Sequence, residues 1–324
     1  MTSLSTTRRI LITGGGGYIG SQLVARLAKR PVDTVQVVVT DVRQPTRRYE
    51  APNVVYESLD VRDPVLSDRL EQHHIDTVVH LASIVTPGNK HNREMEHSVD
   101  VLGTENVLQC CVATGVEHLI VTSSGAAYGY HADTPDPVTE DAPLRANPEF
   151  TYADNKRQIE QHLARYRREH PNLKQLTFRP GVVLGEYTNN QITDLFRKRF
   201  LLGVRGESMP WTFVWDEDVV SSIERGIDQR CEGIYNLVGD GALPLSEVAQ
   251  LVGIPYRPLP SWLLRWGIWC LQQLGATQYG AEQVDFLRYR PVLSNEKLKN
   301  EFGFRPSKTS RETLQFYLEH RHES

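Results

Sequence analysis

One stretch constrains the fold of this chain more than any other: Thr13-Gly-Gly-Gly-Gly-Tyr-Ile-Gly20. An apolar run, Ile10-Leu11-Ile12, precedes it, and a helix-compatible run from Ser21 to Lys29 follows. In a strand, glycine turn and helix arranged so, the N–H groups and positive end of the helix can hold a phosphate. Gly15, Gly17 and Gly20 fit G-x-G-x-x-G, and Gly14, Gly17 and Gly20 fit the evenly spaced G-x-x-G-x-x-G. Glycine suits such a turn because it accepts positive φ and lets backbone touch the ligand. A glycine turn alone is as often a plain turn. Here the run Val35-Gln-Val-Val-Val-Thr40 ends in Asp41, roughly 20 residues past the last glycine, where an acid binds the ribose of a dinucleotide. Strand, turn, helix, strand and acid in that order predict a dinucleotide site.

Strand-like runs at 9–13, 35–41, 54–59, 77–81, 118–123 and 174–179 alternate with helix-like runs at 21–29, 64–73, 91–114 and 152–170. The alternation predicts an α/β fold: a Rossmann-type doubly wound parallel sheet over 1–180. After it the pattern shifts to short elements in Gly- and Pro-rich loops. This reads as a smaller C-terminal substrate-binding α/β subdomain, 181–324, with segments near 211–240 returning to the first part. Ligands of such sheets bind at the carboxyl edge, so the site is expected between the two parts.

The net charge of −4 argues against a general nucleic-acid binder. The four cysteines, Cys110, Cys111, Cys231 and Cys270, have no metal-binding spacing and read as reduced thiols of a cytoplasmic protein. No metal site is expected. Residues 1–9 are polar and lack a leader's apolar core, and no run reaches the roughly 20 apolar residues of a membrane span. The nearest, 259–274, holds Trp262, Trp266 and Trp269 and is interrupted by Arg265 and two glutamines. It reads as a buried helix or pocket lid, with an interfacial membrane helix as the competing reading.

Tyr152 and Lys156 share one face of a helix at i, i+4 spacing. A phenol's reference pKa is about 10, and a neighbouring ammonium lowers it by favouring the phenolate. Such a Tyr can exchange a proton with a substrate hydroxyl. Ser124, at the end of the apolar run 118–123, has the place to hydrogen-bond the same oxygen. Together these features resemble the extended short-chain dehydrogenase/reductases, the NAD-dependent epimerase/dehydratase family. The resemblance runs through the 13–20 turn, Asp41, Asp60-Val61, His80-Leu-Ala-Ser83, Gly103-Thr104 with Asn106, and Ser123-Ser124 to Tyr128-Gly129. It continues through Tyr152/Lys156, Arg179-Pro180-Gly181, Phe213-Val214 with Asp218-Val219, and Tyr235-Asn236.

The resemblance implies residue roles. Gly14, Gly17, Tyr18, Ile19 and Gly20 would bind pyrophosphate, Asp41 the adenosine ribose, and Asp60 and Val61 would border adenine. Leu81, Ala82 and Ser83 would pass beneath the cofactor. Ser124, Tyr152 and Lys156 would be catalytic, with Lys156 also on the nicotinamide ribose and Tyr152, Arg179 and Pro180 completing the cofactor set. Asp100, where the family has Asn, would bring a charge to the nicotinamide end. Asp41 favours NAD over NADP by repelling a 2′-phosphate; Arg43, Arg47 and Arg48 are what NADP would use.

Departures narrow the reaction. Gly125 and Ala126 stand where family dehydratases carry Asp-Glu, which speaks against dehydration. Val182 replaces an Asn, Trp211 an Arg and Trp215 a His of nucleotide-sugar enzymes, with Arg288 or Arg290 as substitutes for the lost diphosphate contacts. The first expectation is therefore an NAD-dependent oxidoreductase. It would move hydride between a secondary alcohol carbon of a bulky substrate and nicotinamide C4. The alternatives are a UDP-hexose 4-epimerase with retained NAD, and a non-catalytic NAD-sensing or scaffold protein. A homodimer through 91–114 and 152–170 is implied by the resemblance.

Overall fold

A computed structural model of the chain describes residues 7–44, 48–85, 92–274, 280 and 283–321. In chain order come β1 (Arg8–Thr13), α1 (Tyr18–Leu27), β2 (Val35–Asp41), β3 (Val54–Ser58), α2 (Leu66–Gln72), β4 (Thr77–His80), α3 (Arg93–His97), α4 (Gly103–Thr114), β5 (His118–Thr122), α5 (Thr151–Glu169) and β6 (Lys174–Pro180). There follow β7 (Val182–Leu184), α6 (Gln191–Phe196), β8 (Leu201–Val204), β9 (Pro210–Trp211), β10 (Phe213–Trp215), α7 (Asp216–Gln229) and β11 (Gly233–Leu237). The last are β12 (Leu243–Pro244), α8 (Leu245–Val252), β13 (Tyr256–Leu259), α9 (Ser261–Gln273), α10 (Gln283–Arg288), α11 (Glu296–Asn300) and α12 (Ser310–His320).

A seven-stranded sheet runs β11-β6-β5-β4-β1-β2-β3. The pairings β3–β2, β2–β1, β1–β4, β4–β5 and β5–β6 are parallel. This is the doubly wound Rossmann order, extended by β11. All four residues of β4 are buried, as in a strand covered on both faces. α1 buries Gly20, Leu23, Val24 and Leu27, the i, i+3, i+4, i+7 stripe of a helix on a sheet. Its three large apolar side chains contribute roughly 1.5–3 kcal/mol each.

Two compact units interleave along the chain. The first comprises Met1–Ser124, Asn155–Arg179 and Val219–Tyr235. Its core includes Leu11, Val38, Val78, Leu108, Leu119 and Ile159. Val219–Tyr235 belongs here because Arg26 bonds Ser221 (2.8 Å) and Glu224 (3.2 Å) while Arg30 pairs with Asp228 (2.6 Å). The second comprises Gly125–Asp154, Pro180–Asp218 and Asn236–Ser324, around Trp211, Phe213, Val248, Leu314 and Tyr317. Gly125–Asp154 precedes residue 180 yet groups with it. Tyr128 Oη donates to Asn236 Oδ1 (2.8 Å), the Asn236 N–H donates to Glu140 (2.7 Å), and Asn236 Nδ2 donates to the Val138 carbonyl (3.0 Å). Strand–helix alternation carries no record of such long-range bonds.

Two expectations need correction. The run 91–114 is not one helix: a π-helical stretch, Ser98–Leu102, separates α3 from α4. Gly103 there packs so closely on Val61 that a Cβ would come within 2.7 Å of it. The helix holding 261–273 is not buried either: only Leu264 is buried, while Trp262, Trp266 and Trp269 are 68%, 60% and 53% exposed. With Arg265 and two C-terminal glutamines as its main polar residues, the helix has too narrow a polar side to show which face is outward. Of the five tryptophans, Trp211 alone is fully buried. No helix among the described residues is long and apolar enough to cross a membrane.

Candidate functional site

The glycine turn leaves β1 at Thr13 and bends through Gly14, whose φ is +66°. A Cβ on Gly14 would stand 2.6 Å from the Ala82 nitrogen, and one on Gly20 would strike the Gly14 carbonyl. Backbone therefore meets backbone, and the Gly17 N–H closes the turn on the Gly14 carbonyl (3.0 Å). Gly17 caps α1 with no side-chain bond, and the first turn, Tyr18 onward, carries no acid. The positive opening turn of a ten-residue helix thus carries neither a capping nor an acidic side chain, which suits an anion. Asp41 ends the neighbouring β2, its carboxylate accepting from the N–H groups of Gly16 (3.1 Å) and Arg43 (3.0 Å). A helix start free of side chains, a cradle that any Cβ would fill and an oriented acid one strand away fit a dinucleotide. Arg48 is engaged with Gln44 and lies over the Tyr56 ring; Arg47 lies outside the described residues.

Asp60 is held by a forked pair with Arg62 (2.6 and 2.9 Å), which keeps its carboxyl below the usual range. Val61 is buried, and its carbonyl accepts from Asn106 Nδ2 (2.8 Å). Asn106 thus clips the loop after β3, a role the sequence did not disclose. Beyond β4, the Leu81 N–H donates to the Thr13 carbonyl (3.1 Å), and Ala82 borders Gly14.

Lys156 is buried, and its Nζ donates to Ser83 Oγ (3.1 Å) and the Thr122 carbonyl (3.4 Å). Burial pulls its pKa down, while the Asp100 and Glu160 charges oppose the fall. Asp100, in the π-helical stretch, is 1% exposed and accepts from the Ile84 N–H (2.8 Å). Burial pushes its carboxyl above the usual range against the pull of the Lys156 ammonium. Ser124 is buried just past β5, and its neighbour Ser123 donates to Glu160 (2.7 Å). Arg179 forks onto the same Glu160 (2.6 and 2.7 Å), so its side chain is engaged inside the first unit. Ser83, Asp100 and Lys156 are thus gathered, with Ser124 in the same unit. Tyr152 sits one helical turn before Lys156 on α5, which passes from the second unit to the first between Asp154 and Asn155. Pro180 begins the second unit's next segment.

His80 was named only as part of a motif, yet it organises this region. Thr104 Oγ1 donates to the Asp100 carbonyl (2.5 Å), so it must accept from His80 Nε2 (3.0 Å). His80 Nδ1 then accepts from Thr13 (2.7 Å). Burial, and secondarily the Lys156 charge, lowers the His80 pKa to about 3 from 6.5. Between those limits the unfolded chain binds a proton that the folded chain refuses. This contribution to stability is complete above pH 6.5 and is lost as pH falls towards 3, at up to about 1.4 kcal/mol per pH unit. Urea unfolding midpoints of His80→Gln are expected to fall less steeply than wild type between these pH values; parallel slopes would refute the assignment.

In the second unit, Arg288 pairs with Glu207 (2.5 Å), but Arg290 has no carboxylate partner among the described residues. Its guanidinium lies 3.8 Å from the Trp211 ring centre and 4.7 Å from that of Phe286. Its Nη1 is shielded from water without a hydrogen-bond partner among the described residues.

Among known proteins, an uncharacterized protein of Mycobacterium bovis is 23% identical over 316 residues, 95% of this chain and 83% of its own. UDP-glucose 4-epimerase of Erwinia amylovora is 30% identical over 193 residues, 56% of each chain. The structure of Thermus thermophilus UDP-glucose 4-epimerase in complex with NAD superposes with a TM-score of 0.73 at 24% identity, covering 96% of this chain and 98% of that one. Residues 10–237 match the NAD dependent epimerase/dehydratase family. With that match over most of its length, the chain belongs to this family.

Proposed function

We propose that the chain binds NAD and acts on a secondary hydroxyl of a nucleotide sugar, with 4-epimerisation of a UDP-hexose as its reaction. Arg290 carries this reading: a shielded guanidinium with a donor to spare and no carboxylate suits a substrate diphosphate. The epimerases among its relatives support the same reading, and the sequence preference for a bulky non-nucleotide substrate yields to it. The turn Gly14, Gly17, Tyr18, Ile19 and Gly20 would hold the pyrophosphate. Asp41 would hold the ribose, with Asp60, Val61, Leu81, Ala82, Ser83, Asp100 and Pro180 around the rest.

When bound, NAD supplies a reversible two-electron acceptor for the carbinol carbon. Tyr152, as phenolate, takes the hydroxyl proton as that carbon is oxidised and returns it on reduction from the other face. Ser124 donates a hydrogen bond to the same oxygen. Lys156 favours the phenolate by its charge, which Asp100 helps it keep against burial. Dehydration is disfavoured: Gly125 and Ala126 offer no acid pair, and a Cβ at Gly125 would lie 2.7 Å from Leu293. Homodimerisation through α4 and α5 belongs to the same proposal.

The test is whether purified protein releases NAD on denaturation and interconverts UDP-glucose and UDP-galactose without net NADH. Arg290→Leu should raise KM for the UDP-sugar and leave NAD content unchanged. Val182 and Trp211 favour the second reading, a dehydrogenase of a neutral substrate. Turnover of neutral alcohols with net NADH, and none of UDP-sugars, would establish it instead.

A further inference from the structure

The outward face of α9 is built the wrong way round for water. At 100° per residue, Trp262, Trp266 and Trp269 fall within about 60° of arc, and the buried Leu264 lies on the opposite side. A helix packed on a core ordinarily turns polar residues outward. Here three indoles take that place, all more than half exposed, and Leu274 just past the helix end is 80% exposed. A Cβ at Gly267 would meet nothing within 4 Å. A contiguous apolar stripe of this kind marks a surface that something covers.

The surrounding charge says what. α9 follows β13 directly, and β13 pairs in parallel with β8, with Arg257 opposite Leu202 and the Arg205 N–H on the Leu259 carbonyl (2.9 Å). Residues 191–205 and 255–274 together carry six cations, Arg197, Lys198, Arg199, Arg205, Arg257 and Arg265, against one acid, Asp194, in a chain of net charge −4. Arg197, Lys198, Arg199, Arg205 and Arg257 are exposed, as are Phe200 and Leu202 between them. The Arg257 guanidinium rests 5.1 Å from the Phe200 ring centre. Arg265 at the edge of the stripe is already paired with Asp285 (2.7 Å).

We propose that this face is a peripheral membrane-binding surface: α9 lies along an anionic bilayer with its indoles among the headgroups, and the basic residues of the β8–β13 region meet the lipid phosphates. Thirteen residues of helix reach about 20 Å, too short for a hydrocarbon core of about 30 Å, so α9 lies in the interface and does not cross it. Indole rings favour that interface, and basic residues add affinity for anionic lipid. A second copy of the chain is a poorer occupant. A two-fold interface opposes each patch to itself and would bring the two sets of cations together.

The test is flotation of the intact protein with vesicles of phosphatidylcholine alone or mixed with phosphatidylglycerol. The expected result is about tenfold or greater preference for the mixed vesicles, weakened by salt. Wild-type tryptophan emission should shift to shorter wavelength on binding and be quenched by lipids brominated along their acyl chains. The triple variant Trp262→Ser/Trp266→Ser/Trp269→Ser should lose that binding and the quenching while keeping its circular dichroism and NAD content. Arg197→Gln/Lys198→Gln/Arg199→Gln should lose the preference for the anionic lipid. The proposal is overturned if wild type does not float with mixed vesicles, or if the triple variant floats as well as wild type. It is also overturned if the variant's one effect is to convert a dimer to a monomer in sedimentation, which would make the face a contact between copies.

Discussion

Tyr152→Phe is expected to lower turnover by about a hundredfold or more while leaving coenzyme affinity and thermal stability near wild type. The substitution deletes one oxygen and keeps the ring, so α5 loses neither packing nor helix-forming capacity. What it removes is the group proposed to take and return the substrate proton. General acid–base catalysis contributes about 10²–10⁴ in rate, or roughly 3–5 kcal/mol of barrier at 1.36 kcal/mol per tenfold. Coenzyme affinity is assigned to a different set of atoms, the 13–20 turn and Asp41, so it should not follow the rate. The two readouts are steady-state kcat with the UDP-sugar pair and NADH fluorescence titration. Unchanged kcat would remove Tyr152 from the mechanism. A parallel loss of NADH affinity would mean that the phenol holds coenzyme and does not move a proton.

The parts of this molecule legible in its sequence are those whose signal is local. The six strands predicted in the first 180 residues match β1 to β6 to within a residue or so, because each is a short apolar run between turn signals. The glycine cradle was legible because its requirement, no Cβ, is written as a residue type. The π-helical stretch was not: Ser98 to Leu102 is compatible with ordinary helix, and no residue type there marks the change. The grouping of Gly125–Asp154 with the second unit rests on hydrogen bonds spanning about a hundred residues to Asn236, which leave no trace in local pattern. The tryptophans show the same limit from the other side. Their apolar character suggested burial, whereas Trp211 alone is enclosed and the three on α9 face outward. At the candidate site, Tyr152 and Lys156 are proposed from their spacing together with the motifs around them, while His80 and Glu160 act through partners far away in sequence, Thr13 and Thr104 for one, Arg179 and Ser123 for the other.

Glu160 is accordingly where a single truncation should cost most. Both its side chain and that of Arg179 are 4% exposed. Its Oε1 accepts from Arg179 Nε (2.7 Å) and Ser123 Oγ (2.7 Å), and its Oε2 accepts from Arg179 Nη2 (2.6 Å). Glu160→Ala leaves a buried guanidinium with its main counter-charge gone and a buried hydroxyl without its acceptor. Removing one member of a buried pair costs roughly 3–5 kcal/mol. At about 2–4 °C per kcal/mol for a large domain, Tm should fall by on the order of ten degrees. A loss below about 1 kcal/mol would contradict the enclosed pair, since that is the range of exposed ones. The double variant Glu160→Met/Arg179→Met should recover most of the loss, because replacing both charges with apolar side chains of similar volume removes the unpaired charge. The same variant tests the sequence-based expectation that Arg179 contacts the coenzyme. If the guanidinium is fully engaged by Glu160, NADH affinity in the double variant stays within about twofold of wild type, below the roughly tenfold that 1.4 kcal/mol of lost contact would produce. A tenfold or greater loss there, with stability recovered, would show that Arg179 serves the coenzyme as well as the fold.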